Sequence, residues 1–248
     1  MSDARVVVVT GAAGCLGEAI GEALAASGYR VAAWDLDSGA LQALAERHPD
    51  WFTQVCDLTD PAQAAGALAQ TVARCGRIDA LVNNAGLIHS ELLFNLMGSG
   101  ERRHSFERWR RVLDANLTTA FVATSHVAEH MIAGRIRGTI VNISSIAAQG
   151  NAGQSAYAAA KAGIDALTVT WAKELGSLGI RVVAIAPGFV DTASTRAAMT
   201  EAVLADWVRK TPLRRLGSPQ RVADAVLFAL RNDDLTGTTL SLDGGLRI

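Results

Sequence analysis

The chain has 248 residues, of which half are hydrophobic, 5% are aromatic and 19% are charged. This composition excludes an intrinsically disordered chain, and the near balance of 23 Lys and Arg residues against 24 Asp and Glu residues excludes a basic nucleic-acid-binding protein. Cys15, Cys56 and Cys75 are odd in number and form no Cys-x-x-Cys pair, so we expect neither a disulfide framework nor a zinc site. No signal peptide and no apolar run of ~18 residues is recognisable, which predicts a cytoplasmic protein with no membrane partner.

Seven short β-branched runs alternate with helical stretches along the chain. They are Arg5–Thr10, Arg30–Asp35, Phe52–Asp57, Ala80–Asn83, Gly138–Ser145, Ile180–Pro187 and Thr238–Asp243. Several runs are apolar at consecutive positions, as expected of parallel strands buried on both faces. The alternation predicts one α/β domain over residues 1–248, a doubly wound Rossmann-type fold with a seven-stranded parallel sheet and helices on both faces.

A glycine-rich turn, Thr10-Gly11-Ala12-Ala13-Gly14-Cys15-Leu16-Gly17, follows the first predicted strand and opens a helix. Glycines let the backbone approach a phosphate, and a helix N-terminus supplies free N–H groups and a positive dipole end. Many strand–helix joints need glycine for geometry alone, but this context favours nucleotide binding. We therefore expect cofactor contacts from Gly11, Gly14, Cys15, Leu16 and Gly17.

Acidic residues follow the second and third predicted strands. Asp35 lies about 20 residues beyond the turn, where a carboxylate can accept hydrogen bonds from ribose hydroxyls and would repel a 2′-phosphate. Neither the turn nor residues 34–38 offer an Arg or Lys for such a phosphate, so the sequence favours NAD(H) over NADP(H). Asp57 and Leu58 are similarly placed to meet the adenine. The alternatives are an ordinary surface aspartate at position 35 and a helix cap at position 57.

Tyr157 and Lys161 lie four residues apart on one predicted helix face. A free tyrosine has a pKa of ~10, and a neighbouring ammonium favours the phenolate. Such a pair can move a proton to or from an alcohol oxygen while a hydride moves to or from a nicotinamide. A Tyr-x-x-x-Lys pair with no partnership is also common, so its meaning depends on the residues upstream.

Six patterns occur in order along the chain. They are Thr10–Gly17, Asn83-Asn84-Ala85-Gly86, Asn116, Ser144-Ser145, Tyr157-x-x-x-Lys161 and Pro187-Gly188-Phe189-Val190-Asp191-Thr192. Together they resemble the short-chain dehydrogenase/reductase family, in particular its 3-oxoacyl-acyl-carrier-protein reductase-like members. The resemblance covers essentially the whole chain, down to Leu242-Asp243-Gly244-Gly245.

The resemblance implies an oxidoreductase that interconverts a secondary alcohol and a ketone with a nicotinamide dinucleotide, and Asp35 makes NAD(H) the form that we expect. Tyr157 would be the general acid/base, Ser145 would bond the substrate oxygen, and Asn116 would hold a water that relays protons. Lys161 would hold the nicotinamide ribose and lower the tyrosine pKa. The remaining implied cofactor contacts are Asn84, Ala85, Gly86, Pro187, Val190 and Thr192. A homotetramer packed through residues 110–130 and 155–175 and the C-terminal strand is also implied.

The sequence departs from the family pattern at three places. Cys15 stands at the usual middle glycine of the turn, where its Cβ could crowd a pyrophosphate unless the preceding glycine takes over the close approach. The spacing to the tyrosine points to Ser144, but we expect Ser145 to face the substrate because neighbouring strand residues alternate faces. The segment Asn95–Ser105 is longer than in compact members, and its basic Arg102–His104 run could flank the site or be a solvated insertion.

Several functional alternatives stay open. His126-Val127-Ala128-Glu129-His130 matches an inverted zinc-protease pattern, but no third ligand is apparent and we expect no metal. A dinucleotide-sensing or scaffold protein that has lost turnover is a rival, although such a protein usually lacks the Tyr or the Lys.

The substrate is expected to be a small molecule, either a carrier-bound or CoA 3-oxoacyl thioester or a simple secondary alcohol, polyol or sugar. We expect a substrate lid at about residues 193–212, with contacts from Met199, Val203, Leu204 and Trp207.

Overall fold

The computed structural model describes residues 4–97 and 101–248. Its seven strands form one parallel sheet in the order β3-β2-β1-β4-β5-β6-β7. The strands are β1 (Val6–Thr10), β2 (Arg30–Asp35), β3 (Phe52–Val55), β4 (Ala80–Asn83), β5 (Thr139–Ile143), β6 (Arg181–Pro187) and β7 (Thr238–Leu242). The predicted seven-stranded parallel sheet is confirmed.

Nine α-helices occur among the described residues. They are α1 (Cys15–Ala26), α2 (Ser38–Arg47), α3 (Pro61–Cys75), α4 (Phe106–Leu113), α5 (Thr119–Ala133), α6 (Ser155–Leu175), α7 (Ala193–Ala198), α8 (Glu201–Lys210) and α9 (Pro219–Arg231). A π-helical turn, Asp114–Thr118, joins α4 to α5. No helix in the described ranges is long and apolar enough to cross a bilayer.

Consecutive strand residues point to opposite faces of the sheet, which creates two hydrophobic cores. Val6 and Val8 of β1 belong to the core beneath α3, α5 and α6, whereas Val7 and Val9 belong to the core beneath α1, α2 and α9. Because every residue of β1 is buried, the continuous apolar run is explained by helices covering both faces.

Three strands end earlier than the sequence predicts: β7 ends one residue early, at Leu242, and β3 and β5 each end two residues early. β3 stops at Val55 because its partner β2 stops at Asp35, with which Val55 is in register, and no neighbouring strand extends further. β5 stops at Ile143, after which Ser145 caps a short 3₁₀ turn by accepting from the Ala147 N–H. The early ends of β3 and β5 leave polar residues at the carboxyl edge, where they are free to face a ligand.

The long segment before α4 folds as a narrow hairpin. Asn95 N donates to Arg102 O at 2.7 Å, and His104 N donates to Leu93 O at 3.0 Å. Gly98, Ser99 and Gly100 of the predicted insertion lie outside the described residues. Glu91 pairs with His104 and Arg108, so acidic groups accompany the basic residues of this insertion.

Candidate active site

The residues predicted to act on substrate and cofactor converge at the carboxyl edge of the sheet. β1 and β4 are neighbours there, and β2 leaves β1 on the other side, so the strand order reverses at this point. Ligands of doubly wound sheets bind in the crevice that such a reversal opens. β5 and the first turns of α6 border the same crevice through contacts of Lys161 with the end of β5.

Tyr157 and Ser145 face each other across the crevice. The Ser145 hydroxyl lies near enough to the phenol to favour its ionised form, an influence that lowers the pKa of Tyr157, and the Ser145 Oγ accepts from the Ala147 N–H at 3.1 Å. Ser144 points the other way, to the Lys161 carbonyl at 3.4 Å and to the Asp165 carboxyl. The strand alternation therefore gives the two serines different partners, with Ser145 on the tyrosine side.

Lys161 is buried beside this pair. Its Nζ donates to the Ile143 carbonyl at 2.8 Å and lies 5.6 Å from the centroid of the Tyr157 ring. Burial lowers the pKa of the Lys161 ammonium to about 8, and the charge of Asp165, one helical turn away, partly opposes this shift. The ammonium therefore loses its proton far more readily than an exposed lysine does.

The tyrosine pKa differs from the sequence expectation. Burial raises the pKa of Tyr157, and the hydrogen bond from Ser145 is the opposing influence. The chain's own residues therefore do not produce the lowered pKa expected from Lys161. The physical reason is that both groups are desolvated, which disfavours the phenolate and the ammonium alike.

Asn116 lies in the π-helical turn between α4 and α5. Its Nδ2 donates to the Leu87 and Val112 carbonyls at 2.8 and 2.9 Å, which fixes the amide. Its Oδ1 is buried without a hydrogen-bond partner. A Cβ at Gly86 would lie 2.4 Å from this oxygen and 3.7 Å from the Lys161 Nζ, so Gly86 keeps a gap between these groups. A buried acceptor beside an ammonium fits a site that holds a polar ligand or water.

The glycine-rich turn packs tightly against its neighbours at two of its glycines. Gly11 has a φ of +61°, and a Cβ there would lie 2.8 Å from the Ala85 Cα. A Cβ at Gly17 would lie 2.2 Å from the Gly11 oxygen. Both positions exclude any side chain, because the atoms in the way belong to the backbone.

Gly14 and Cys15 form the start of α1. Gly14 is the N-cap and offers no side chain to the first helical N–H groups, while a Cβ there would meet only the Gly11 oxygen at 3.5 Å. Packing therefore does not require glycine at 14, and its bare backbone leaves room for a phosphate at the helix N-terminus. Cys15 is the first helical residue and is exposed, and Leu16 is half-buried against the core under α1.

Asp35 ends β2 as predicted, whereas Asp57 lies two residues beyond the end of β3, and the two carboxylates bond different groups. The Asp35 carboxylate accepts from the Ala13 N–H at 2.9 Å and from the Asp37 N–H at 3.1 Å, so it braces the glycine-rich turn. Asp57 accepts from the Thr59 N–H and hydroxyl, whereas Asp60 caps α3. Leu58, between these turns, is buried.

The end of β4 is bonded to the end of β1. The Asn84 Nδ2 donates to the carbonyls of Thr10 and Gly11 at 3.1 and 3.0 Å. The Thr10 hydroxyl accepts from the N–H groups of Asn84 and Ala85, each at 3.0 Å. These contacts hold the glycine-rich turn against β4 and give Thr10 and Asn84 a structural role.

The segment after Pro187, at the end of β6, forms the far side of the crevice. Val190 pairs with Gly217, and the Thr192 hydroxyl caps α7 by accepting from the Thr195 N–H at 3.1 Å. The Phe189 ring packs against Trp207 of α8, with centroids 4.7 Å apart.

Comparison with known proteins identifies the group to which this site belongs. A family model described as Enoyl-(Acyl carrier protein) reductase matches residues 11–247. The chain belongs to the short-chain dehydrogenase/reductase family. It is therefore an oxidoreductase of the short-chain type that uses a nicotinamide dinucleotide.

Individual relatives of this short-chain reductase align over nearly their full length. The 3-oxoacyl-[acyl-carrier-protein] reductase of Thermotoga maritima is 38% identical over 253 residues, covering 99% of both chains. The reductase of the same name from Escherichia coli K12 is 34% identical and covers 98% of both, and the acetoacetyl-CoA reductase of an Acinetobacter strain is 35% identical and covers 99% of both. The crystal structure of gox2181 superposes with a TM-score of 0.90 at 31% identity, covering 98% of this chain and 96% of that one.

Sequence reasoning missed a chain of buried polar side chains beneath the short-chain reductase site. The Asn83 Nδ2 donates to the Thr124 hydroxyl and to the Asn142 Oδ1, both at 2.8 Å, and the Asn142 Nδ2 donates to the Thr168 hydroxyl at 2.9 Å. The chain joins β4, β5, α5 and α6. Of these four residues, only Asn83 lies in a pattern that the sequence analysis recognised, Asn83-Asn84-Ala85-Gly86. Its partners lie far away along the chain, so no local pattern predicts the contacts.

The histidine pattern on α5 does not assemble a metal site. His126 bonds the Val122 carbonyl at 2.9 Å, and His130 lies one turn further on with its Nε2 buried. Within residues 4–97 and 101–248, the one group of three possible ligands is Glu18, Glu22 and His48 on α1 and after α2. There Glu18 already binds Arg47 and His48 directly.

Proposed function

We propose that the chain reduces a 3-oxoacyl thioester, reversibly, with Tyr157 as general acid/base. The observation that supports this most strongly is the placement of the Ser145 hydroxyl near the Tyr157 hydroxyl, with the buried Lys161 Nζ 5.6 Å from the tyrosine ring centroid. A hydroxyl pair is what a ketone oxygen needs when it gains negative charge, because both can donate to it.

In this proposal the chain's residues handle the oxygen and its proton. Ser145 orients the carbonyl oxygen, and Tyr157 gives it a proton in reduction or takes the proton in oxidation. Lys161 places a positive charge beside the phenolate that forms, and the Asn116 Oδ1 accepts from a water that passes protons onward. A bound nicotinamide dinucleotide supplies or accepts the hydride.

The cofactor would contact residues at or after the carboxyl ends of five strands, β1, β2, β3, β4 and β6, and residues of α6. The proposed contacts at the turn are Gly11, Gly14, Cys15, Leu16 and Gly17, those after β2 and β3 are Asp35, Asp57 and Leu58, and those after β4 are Asn84, Ala85 and Gly86. Tyr157, Lys161, Pro187, Val190 and Thr192 would hold the nicotinamide half. The bare N-terminus of α1 and the gap at Gly86 support this placement.

An acyl chain as substrate has two supports besides the relatives' names. The hairpin before α4 exposes Leu92, Leu93 and Met97. Its base is tied to the loop that leads into α6, since Glu91 N donates to the Gly153 carbonyl at 2.6 Å.

We also propose residues 193–212 as the lid, with Trp207 packed against Phe189.

Steady-state kinetics with matched substrates test the thioester proposal. We expect acetoacetyl-CoA or a longer 3-oxoacyl thioester to give a kcat/KM at least ~10-fold above simple ketones, sugars and polyols, because only the thioester can use the apolar hairpin. A simple secondary alcohol or polyol as the best substrate would contradict the thioester and favour the alternative dehydrogenase function.

We propose that the cofactor is NAD(H) rather than NADP(H). The Asp35 carboxylate stands at the end of β2 against the glycine-rich turn, bonded to the Ala13 N–H. A 2′-phosphate placed near it would meet a like charge, and the turn and residues 34–38 contain no Arg or Lys to neutralise one. This supports discrimination against the phosphorylated dinucleotide.

Replacing Asp35 by alanine is expected to relax this discrimination. The ratio of kcat/KM for NADH to that for NADPH should fall by about tenfold or more, since like-charge repulsion of a few kcal/mol is removed. Asp37→Asn is the control, because it removes a nearby charge but keeps the cap on the Ala40 N–H. A wild type that prefers NADPH, or an unchanged ratio in Asp35→Ala, would contradict the proposal.

We also propose a homotetramer, assembled through α4–α5 and α6 with β7, working in a reducing compartment such as the cytoplasm. Phe121 on α5 and Val169 on α6 expose apolar surface on the helices concerned. The three cysteines are free thiols, which supports the choice of compartment.

A further inference from the structure

A cavity of about 670 Å³ lies at the amino edge of the sheet, opposite the active site. It is built where the chain enters β1, β4 and β5, so three adjacent central strands contribute to it. The charged and polar side chains that line it are Arg5, Arg77, Asp79, His130, Arg135 and Arg137. The volume is that of a small-ligand site.

The lining carries uncompensated positive charge. The Asp79 carboxylate already has partners, because one oxygen pairs with the Arg77 guanidinium and the other accepts from the Val6 N–H. In the described parts of the chain, Arg5, Arg135 and Arg137 form no salt bridge. Three guanidinium groups without a counter-charge around one cavity repel each other, and an anion between them would remove that repulsion.

His130, which also lines the cavity, has a buried ring nitrogen without a partner. The His130 Nε2 is one of three buried side-chain polar atoms without a hydrogen bond in the described ranges, and another is the Asn116 Oδ1 in the active site. A buried polar atom without a partner is destabilising, so a ligand oxygen that accepts from this nitrogen would be favoured.

We propose that this cavity binds a small multivalent oxyanion of the phosphate or pyrophosphate class. Arg5, Arg135 and Arg137 would donate to its oxygens, and the His130 Nε2–H would donate from the cavity wall. Guanidinium groups suit this ligand because their planar N–H donors match pairs of phosphate oxygens. The site lies on the opposite edge of the sheet from the dinucleotide crevice, so both can be filled together.

The backbone at Arg135 allows a clean test. Arg135 has a φ of +50° after the end of α5, a left-handed conformation that favours glycine. Arg135→Gly should therefore remove one guanidinium without lowering the melting temperature. Arg214 has a φ of +53° in the turn after α8 and does not line the cavity. Arg214→Gly is therefore a matched control, because it also removes one positive charge and one left-handed non-glycine residue.

Calorimetric titration with pyrophosphate, on full-length enzyme saturated with its nicotinamide dinucleotide, measures this site apart from the glycine-rich turn. We expect saturable binding that weakens at least ~10-fold in Arg135→Gly and in Arg137→Gln, and that is unchanged in Arg214→Gly. No binding by the wild type would overturn the proposal. Equal affinity in Arg135→Gly and Arg214→Gly would overturn it too, because the anion would then sit elsewhere.

Discussion

Replacing Tyr157 by phenylalanine is expected to lower turnover by about 10³-fold or more, with dinucleotide affinity little changed. The variant keeps the ring that packs beside Val112 and Ala147 and loses only the hydroxyl on the Ser145 side. General acid/base catalysis contributes about 10²–10⁴-fold, and removal of the Ser145 partner adds to the loss. Because the loss arises only in the transition state, it should appear in kcat and in kcat/KM equally.

The chain offers a matched control for this variant. Tyr29 is its only other tyrosine, and Tyr29→Phe should retain wild-type turnover. Steady-state kinetics and dinucleotide titration of both variants separate a chemical defect from a folding defect. Turnover of Tyr157→Phe within about tenfold of wild type would contradict the assignment of Tyr157 as the acid/base.

Replacing Lys161 by methionine is expected to abolish turnover almost as completely and to change how stability depends on pH. The Nζ is the buried positive charge beside Tyr157, so its loss leaves the phenolate without electrostatic support. The pKa of Lys161 is about 8 in the folded protein, against an ordinary value of 10.5. Below pH 8 both folded and unfolded chains carry this charge, and burial penalises the folded one.

Between those two pKa values the unfolded chain binds the proton and the folded chain does not, so wild-type stability rises with pH. Relative to Lys161→Met, the free energy of unfolding of the wild type should rise by about 3 kcal/mol between the folded and unfolded pKa values, which are about 8 and 10.5. About 2 kcal/mol of this rise should be present by pH 9.5. Urea unfolding of both proteins at pH 7 and pH 9.5 measures the difference, with Lys173→Met on the exposed side of α6 as control. A difference that does not change with pH would show that Lys161 is not desolvated in solution.

The sequence was sufficient for features that are local along the chain. The apolar runs predict the seven strands because burial on both faces requires consecutive apolar residues, and Val6–Val9 show this directly. The alternation of strand residues also separates Ser144, which donates to the Lys161 carbonyl, from Ser145, which lies on the tyrosine side. Glycine at 17 is explained by a backbone contact inside its own turn, whereas glycine at 11 is also required by the close approach of Ala85 after β4.

Features that depend on distant residues could not be read from the sequence. The pKa of Tyr157 is raised, not lowered, because burial by several elements outweighs the neighbour four residues away. The Asp165 carboxylate accepts from the Thr239 hydroxyl of β7 at 3.1 Å, and the distance between these two residues in the sequence gives no sign of this contact. The arginine cavity likewise assembles from residues 5, 77, 135 and 137, which are unremarkable one at a time.

Transfer of an isotopic label tests directly whether the chain reduces a 3-oxoacyl thioester with Tyr157 as general acid/base. The enzyme is given dinucleotide deuterated at the nicotinamide C4 together with a 3-oxoacyl thioester, and the product is analysed by mass spectrometry. We expect deuterium at the new carbinol carbon of the 3-hydroxyacyl product with wild-type protein and with Tyr29→Phe, and almost none with Tyr157→Phe over the same time. Bound dinucleotide with no label in any thioester or ketone product would contradict the account and identify a catalytically silent dinucleotide-binding protein.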